Sequence, residues 1–148
     1  MRLAVVAAVL LVVFTLDSAT AFLPFLRACK NHPDNQCSGG WSSIDDHHCA
    51  KFFKHSRSFH DAQKHCKSEG ADLVSIHSYE EMMGVLCLVE RVSGHSSHNF
   101  WIGVTRAWDR RRQRTYFKNN DGSRVSYTRW HSGEPNNSNG IEHCVETT

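Results

Sequence analysis

Six cysteines, Cys29, Cys37, Cys49, Cys66, Cys87 and Cys144, set the tightest limit on what this chain can fold into. They follow an amino-terminal stretch built like a secretory signal. Arg2 gives a positive start, Leu3 to Phe14 an apolar core, and Ala19-Thr20-Ala21 a small-residue cleavage site. Residues 1–21 therefore read as a removable leader, with a mature, secreted, extracellular chain starting near Phe22. The apolar run is shorter than the roughly 20 residues that a membrane-spanning helix needs, and nothing later in the sequence is apolar enough to span. In an oxidising compartment six cysteines mean disulfides, with fifteen pairings open in principle. No C-x-x-C pair exists, so the cysteines do not read as zinc ligands. The eleven histidines are scattered, and even His60 and His65 are five apart and leave a common helical face.

The length left after the leader, roughly 125 residues, fits one domain with a real core. A net charge of +2 is too small to argue for a nucleic-acid partner by itself. Residues 22–36, with Pro24 and Pro33, read as an arm leading into a domain over 37–148. Two helices are marked by their caps. Ser58, with Asp61 three residues on, opens one that Gly70 stops, with Phe59, Ala62 and Cys66 on one face. Ser78, with Glu81, opens a second that runs to about Ser93 before Gly94, with Met82, Val85, Leu86 and Val89 as its apolar stripe. Short strands are expected at Ala50 to Lys54, Leu73 to Ile76, Phe100 to Val104 and Val125 to Trp130, with a turn at Asp121-Gly122 and long polar loops after Val104. The sum is a mixed α+β domain.

Chemistry concentrates near the carboxyl end. Glu134-Pro135-Asn136, with Glu142 six residues beyond, offers two carboxylates and an amide carbonyl, the hard oxygens that Ca²⁺ prefers. A cis bond before Pro135 turns both neighbouring side chains toward one ion; as a bare turn, the same stretch is only a polar loop rich in Gly and Asn. Asn136-Asn137-Ser138 is also a glycosylation sequon, and a glycan there removes Asn136 as a ligand. Upstream, Arg106, Arg110, Arg111, Arg112, Arg114 and Lys118 form a basic run beside Trp108, Tyr116 and Phe117. This reads as a solvated loop first, and as a contact for sulfated glycans or anionic microbial surfaces second. No nucleophile–base pair or catalytic metal constellation is visible, so an enzyme is not expected.

Taken together, the order Cys37-x-x-x-Trp41, Cys49, Cys66, Glu69-Gly70-Ala71-Asp72-Leu73, Trp101-Ile102-Gly103-Val104, Asp121-Gly122-Ser123, Trp130, Gly133-Glu134-Pro135-Asn136 and Glu142-x-Cys144 resembles the C-type lectin domain. The resemblance covers the chain from Cys37 to Cys144. It implies an α+β fold of two helices with short antiparallel sheets and a long calcium and sugar loop. It pairs Cys37 with Cys49, and gives Glu134, Asn136 and Glu142 as ligands of Ca²⁺ and of a mannose-type sugar. Galactose-preferring members resemble Gln-Pro-Asp instead.

Two further features of the family have no counterpart in this sequence. The Trp-Asn-Asp strand that supplies two more calcium ligands is absent, as are the cysteines that would pair with Cys66 and Cys144. The resemblance thus reads as a domain with its last strands missing. Three side-chain oxygens fall short of the six to eight or so that Ca²⁺ takes, and each lost disulfide costs about 2–5 kcal/mol. Arg106 and Arg110 stand where members with an auxiliary calcium site carry acids, and Asn119 where tryptophan is common. Cys29 and Cys87 have no standard place in the family, which leaves them to pair with each other or to link two chains into a disulfide-bonded oligomer. The implied function is calcium-dependent recognition of mannose-type glycans on glycoproteins or microbial surfaces. The alternative is a calcium-independent member that binds a protein or another surface.

Overall fold

The computed structural model describes residues 24–32, 37–94 and 99–147; the expected leader, residues 1–21, lies outside them. The chain divides into two compact units, Met1–Asp34 and Asn35–Thr148. In the first, residues 24–31 form a helix, α1, where the sequence reading placed only an arm. Pro24 is suited to its start, because the first helical position needs no N–H donor.

The second unit opens with the hairpin of β1 (Ser42–Ser43) and β2 (Cys49–Ala50), closed by a Cys37–Cys49 disulfide with its Cα atoms 6.4 Å apart. Cys29 and Cys87 are each disulfide-bonded as well, while Cys66 and Cys144 are free. Helices α2 (Phe59–Ser68) and α3 (Tyr79–Ser93) start as their caps dictate. The Asp61 N–H donates to Ser58 Oγ at 3.2 Å and the Glu81 N–H to Ser78 Oγ at 3.0 Å. Gly94, at φ 73°, ends α3 in the left-handed conformation that glycine adopts without a steric penalty.

The long strand β3 (Phe100–Asp109) is the centre of a three-stranded antiparallel sheet in the order β4-β3-β5, with β4 at Arg114–Asn119 and β5 at Cys144–Thr147. Its burial is tightest at Ile102, Gly103 and Val104. Gly103 is there because the chain crosses it: a β-carbon would lie 2.4 Å from the Leu73 carbonyl oxygen, and the Gly103 N–H donates to Val74 O at 2.8 Å.

Two apolar clusters hold the unit together. One is Ile44, Val85 and Leu88, with Phe52 and Phe100 against it. The other is Ile76, Ile102 and Val104, joined by Met82, Phe117, Val125, Tyr127 and Val145. Each fully buried aliphatic side chain stabilises the fold by about 1.5–3 kcal/mol. From the expected stripe of α3, Val85 and Val89 are buried, whereas Met82 and Leu86 are half-buried. The expected face of α2 is only half-buried too, with Phe59 edge-on to Trp101 at 5.7 Å and no α2 residue fully enclosed.

Several expected strands are corrected. Of Ala50–Lys54 only the first residue joins a strand. Leu73–Ile76, which begins in a bend at Leu73, shares a single backbone bond with β3 and forms no ladder among the described residues. Val125–Trp130 alternates inward and outward, with Val125 and Tyr127 on the core and Trp130 against Phe117 at 5.0 Å, yet it too forms no ladder. The polar loops expected after Val104 are instead a hairpin: β3 continues to Asp109 and pairs with β4 from Val104↔Asn119 to Asp109↔Arg114. Its alternation was hidden by charge, since Thr115, Phe117 and Asn119 face inward while Arg114, Tyr116 and Lys118 face out. Asn119 is 3% exposed and donates to Ser123 Oγ at 2.9 Å, tying the hairpin to the Asp121-Gly122 turn.

Candidate functional site

The loop between Trp130 and β5 is held by its own side chains. The Glu134 N–H donates to His131 O at 2.9 Å, and the Glu134–Pro135 bond is cis. Glu134 then receives two bonds from the residue on the far side of the proline: the Asn136 N–H to Oε2 at 3.0 Å and the Asn136 amide Nδ2 to Oε1 at 2.6 Å. Beyond it, Asn137 and Asn139 take left-handed backbone angles, φ 53° and 54°, and Ser138–Gly140 makes a single tight turn. That turn points the Ser138 N–H at Glu142 Oε2, 2.7 Å away. The Arg106 N–H then donates to His143 O at 2.8 Å, seating the end of the loop on β3 where β5 begins.

Glu134, Asn136 and Glu142 therefore share one loop, but not one cluster of mutual contacts. Glu134 and Asn136 are bonded directly, whereas Glu142 is linked through Ser138. Glu134 and Glu142 both line an open groove of about 1070 Å³, together with Arg106, Phe117, Trp130 and Asn137. Glu134, Asn136 and Glu142 are all exposed. The loop also carries Asn137, which sequence reasoning passed over: its Oδ1 is enclosed and accepts no hydrogen bond. The signal was its place beside Pro135-Asn136, but only the backbone turn shows which asparagine is covered.

As a donor set, two carboxylates and the Asn136 amide oxygen, with the Asn137 oxygen in the same loop, suit a hard divalent cation such as Ca²⁺. Their number is below a full calcium shell, leaving positions for other oxygens. Arg106 lies half-buried along the same groove and donates from Nη2 to Thr115 Oγ1 at 3.2 Å. A guanidinium there opposes a second cation nearby.

A second cluster of ligand-type groups is Asp45, His48 and Glu81, whose candidate atoms lie within 4.8 Å of one another. These groups are already occupied. Asp45 Oδ1 accepts the His47 and His48 N–H groups at 2.7 and 2.6 Å, Oδ2 meets His48 Nδ1 at 2.7 Å, and Glu81 Oε2 accepts the His77 N–H at 2.7 Å. Burial pushes the Asp45 carboxyl up, but the His48 ring and the two backbone donors outweigh it and hold the group below its usual range. The same bond to Asp45 raises His48. The Asp45 bonds thus close the turn of the β1–β2 hairpin, and the Glu81 bond holds the chain entering α3.

The profile of the Lectin C-type domain matches residues 55–148. The chain belongs to the C-type lectin domain family. C-type isolectin Sp-CL4 of Scorpaena plumieri is 34% identical over 110 residues, which are 74% of this chain and 72% of that protein. Ladderlectin of Oncorhynchus mykiss is 39% identical over 75% of this chain, which spans only 55% of its length. Among solved structures, the carbohydrate-recognition domain of the mouse scavenger receptor C-type lectin superimposes with a TM-score of 0.55 at 28% identity, covering 75% of this chain and 81% of that domain. Among the described residues no helix is long and apolar enough to cross a membrane.

Proposed function

We propose that this C-type lectin domain is secreted and binds carbohydrate, with calcium-dependent recognition of mannose-type sugars at Glu134, Asn136 and Glu142. The observation that carries the reading is the Glu134–Asn136 chelate across Pro135, which fixes a carboxylate and an amide at one exposed edge. The carbohydrate-recognition domain of the mouse receptor, similar in fold, supports a sugar as the ligand. Glu134, Asn136 and Glu142 would hold the calcium ion through their side-chain oxygens. Bound there, calcium would supply a Lewis-acidic centre for sugar hydroxyl oxygens.

The side chains have hydrogen-bonding capacity left for the same hydroxyls. Asn136 Nδ2 has two protons and gives one to Glu134, leaving the second for a hydroxyl oxygen. Each oxygen of Glu134 accepts one bond from Asn136 and keeps a free lone pair. Glu142 is held at Oε2 by Ser138, which leaves Oε1 to accept a hydroxyl proton. Two carboxylate acceptors flanking an amide donor suit an adjacent pair of equatorial hydroxyls, as in mannose. A single site of this kind supplies about −4 kcal/mol, a millimolar affinity, so useful retention depends on clustered glycans.

The test is chromatography on immobilised mannose. The protein is expected to be retained with Ca²⁺ and released by EDTA. The double substitution Glu134→Gln with Asn136→Asp, which exchanges donors and acceptors, is expected to move retention toward galactose. Retention on mannose that EDTA leaves intact would overturn the calcium reading and favour the calcium-independent alternative. The small number of side-chain oxygens in the loop is what keeps that alternative in view.

A further inference from the structure

We propose that the outer face of the β3–β4 hairpin is a second binding surface, for a sulfated polysaccharide chain, separate from the Glu134 loop. The hairpin concentrates charge. From Arg106 to Lys118 it holds six basic residues against the single acid Asp109, a net of +5, while the whole chain is only +2, so the remainder of the protein is acidic on balance.

That charge is not neutralised within the molecule. Asp109 Oδ1 is occupied by the Arg111 and Arg112 N–H groups at 2.9 and 3.1 Å, which pins the turn, and its Oδ2 stands 3.9 Å from Arg112 Nη1, at the outer limit of an ion pair. Gln113 Nε2 donates to Arg110 O at 2.7 Å and closes the turn backbone from the other side. Arg110, Arg111, Arg114 and Lys118 make no ion pair with any described residue. Like charges gathered in one hairpin repel one another, and among the described residues no carboxylate pairs with these four to offset the cost.

Geometry turns the charge into a track. Arg114, Tyr116 and Lys118 are exposed on one face of β4. Their partners across the ladder are Asp109, Ala107 and Thr105, all shorter than the side chains they oppose. Ala107 in particular leaves the Tyr116 ring open, 42% exposed. At about 3.4 Å per residue, Arg114 and Lys118 are roughly 14 Å apart with the ring between them, a span of a few sugar units. Guanidinium groups form two parallel bonds to the oxygens of one sulfate, and an aromatic face suits the apolar side of a pyranose ring.

A membrane fits less well, because the turn Arg110-Arg111-Arg112-Gln113 is polar throughout and the exposed Trp108 pairs with Thr115, on the face of the hairpin opposite Arg114, Tyr116 and Lys118. Single-stranded nucleic acid is usually tracked by successive aromatic platforms, and this face has one.

The experiment measures binding of the full chain to an immobilised heparin oligosaccharide, with hyaluronan, phosphatidylserine vesicles and a single-stranded oligonucleotide as competitors. Binding is expected to weaken steeply as salt rises, as in other polyanion contacts, and to persist in EDTA. Replacing Arg110, Arg111, Arg114 and Lys118 together by Gln is expected to weaken it about tenfold or more near 0.15 M salt while leaving retention on mannose unchanged. The set Arg110→Lys, Arg111→Lys and Arg114→Lys, which keeps the charge, is expected to lose part of the affinity with the guanidinium forks. On the unsubstituted chain, the oligosaccharide should protect Tyr116 from hydroxyl-radical oxidation. Heparin binding that the Gln set leaves within about twofold, an unprotected Tyr116, or stronger competition by vesicles, by the oligonucleotide or by unsulfated hyaluronan would each overturn the proposal. Because the readout is independent of calcium and mannose, failure of the sugar-loop reading does not affect it.

Discussion

Replacing Gly84 by Ala sets two physical effects against each other within α3. Helix propensity alone favours the change, since alanine is about 1 kcal/mol better than glycine in a helix interior. The packing opposes it. A β-carbon at Gly84 would stand 2.1 Å from the Ile44 carbonyl oxygen and 2.8 Å from both its carbonyl carbon and Cα. Even a close carbon–oxygen contact is about 3.3 Å, so helix and chain must separate by roughly 1.2 Å. Neither side yields easily. Ile44 is 2% exposed in the cluster with Val85 and Leu88, its N–H donates to His48 O at 2.9 Å, and the Cys37–Cys49 bridge closes the same hairpin. Overpacking of this kind costs about 1–3 kcal/mol and sometimes more. With the upper figure set against the helix gain, the net loss is about 2 kcal/mol. At about 4 °C per kcal/mol for a domain of this size, the melting temperature should fall by about 8 °C. Circular dichroism on heating, with the disulfides intact, measures it. A melting temperature that is unchanged or raised would show that propensity governs and that Ile44 is not held against the helix.

Two further outcomes follow from titrating groups. The Asp45–His48 pair contributes stability below the ordinary histidine pKa of 6.5, lost as pH rises through the raised value of His48, and above the ordinary aspartate value of 3.8, lost as pH falls through the lowered value of Asp45. His48→Ala should therefore reduce stability to urea more at about pH 5.5 than at about pH 8.5, and equal losses at the two would refute the pairing. Burial first, then the Asp72 and Glu69 carboxylates, raise the Cys66 thiol, and burial raises Cys144, so both are poor in thiolate at neutral pH. Iodoacetamide should modify them several-fold more slowly than glutathione and rapidly once urea unfolds the chain; labelling as fast as glutathione in the native protein would contradict the half-buried placement.

The helices were legible because their signals are local. Ser58 with Asp61, and Ser78 with Glu81 and Gly94, act within one turn of backbone, and the structure puts α2 and α3 there. Strands were less legible because a ladder depends on a remote partner. Val125–Trp130 has the right alternation and no partner strand among the described residues, while β4 has partners along its whole length and was masked by Arg114 and Lys118. The chemistry of the Glu134-Pro135-Asn136 loop could be read from residue types, since hard oxygens on a short turn have few other arrangements. Its internal wiring could not. That Asn136 spends one amide proton on Glu134, and that Ser138 takes one oxygen of Glu142, are properties of backbone angles at Asn137 and Asn139. Gly84 gave no signal at all: its role is set by Ile44, forty residues earlier.

The basic hairpin also has an optical consequence. Trp108, two residues before the arginine turn, is 55% exposed, whereas Trp130 is half-buried beside Phe117 on the groove that Glu134 and Glu142 line. An anionic quencher such as iodide is enriched around the hairpin by the local field, and a cationic one such as caesium is depleted. The ratio of the two quenching constants at Trp108 thus measures the hairpin's potential in place, and added salt collapses it toward unity. Trp130, half-buried against Phe117, is expected to emit at shorter wavelength and to be less open to either ion. Of the four tryptophans, Trp108 therefore reports on the hairpin, while Trp101 and Trp130 line the groove of the Glu134 loop.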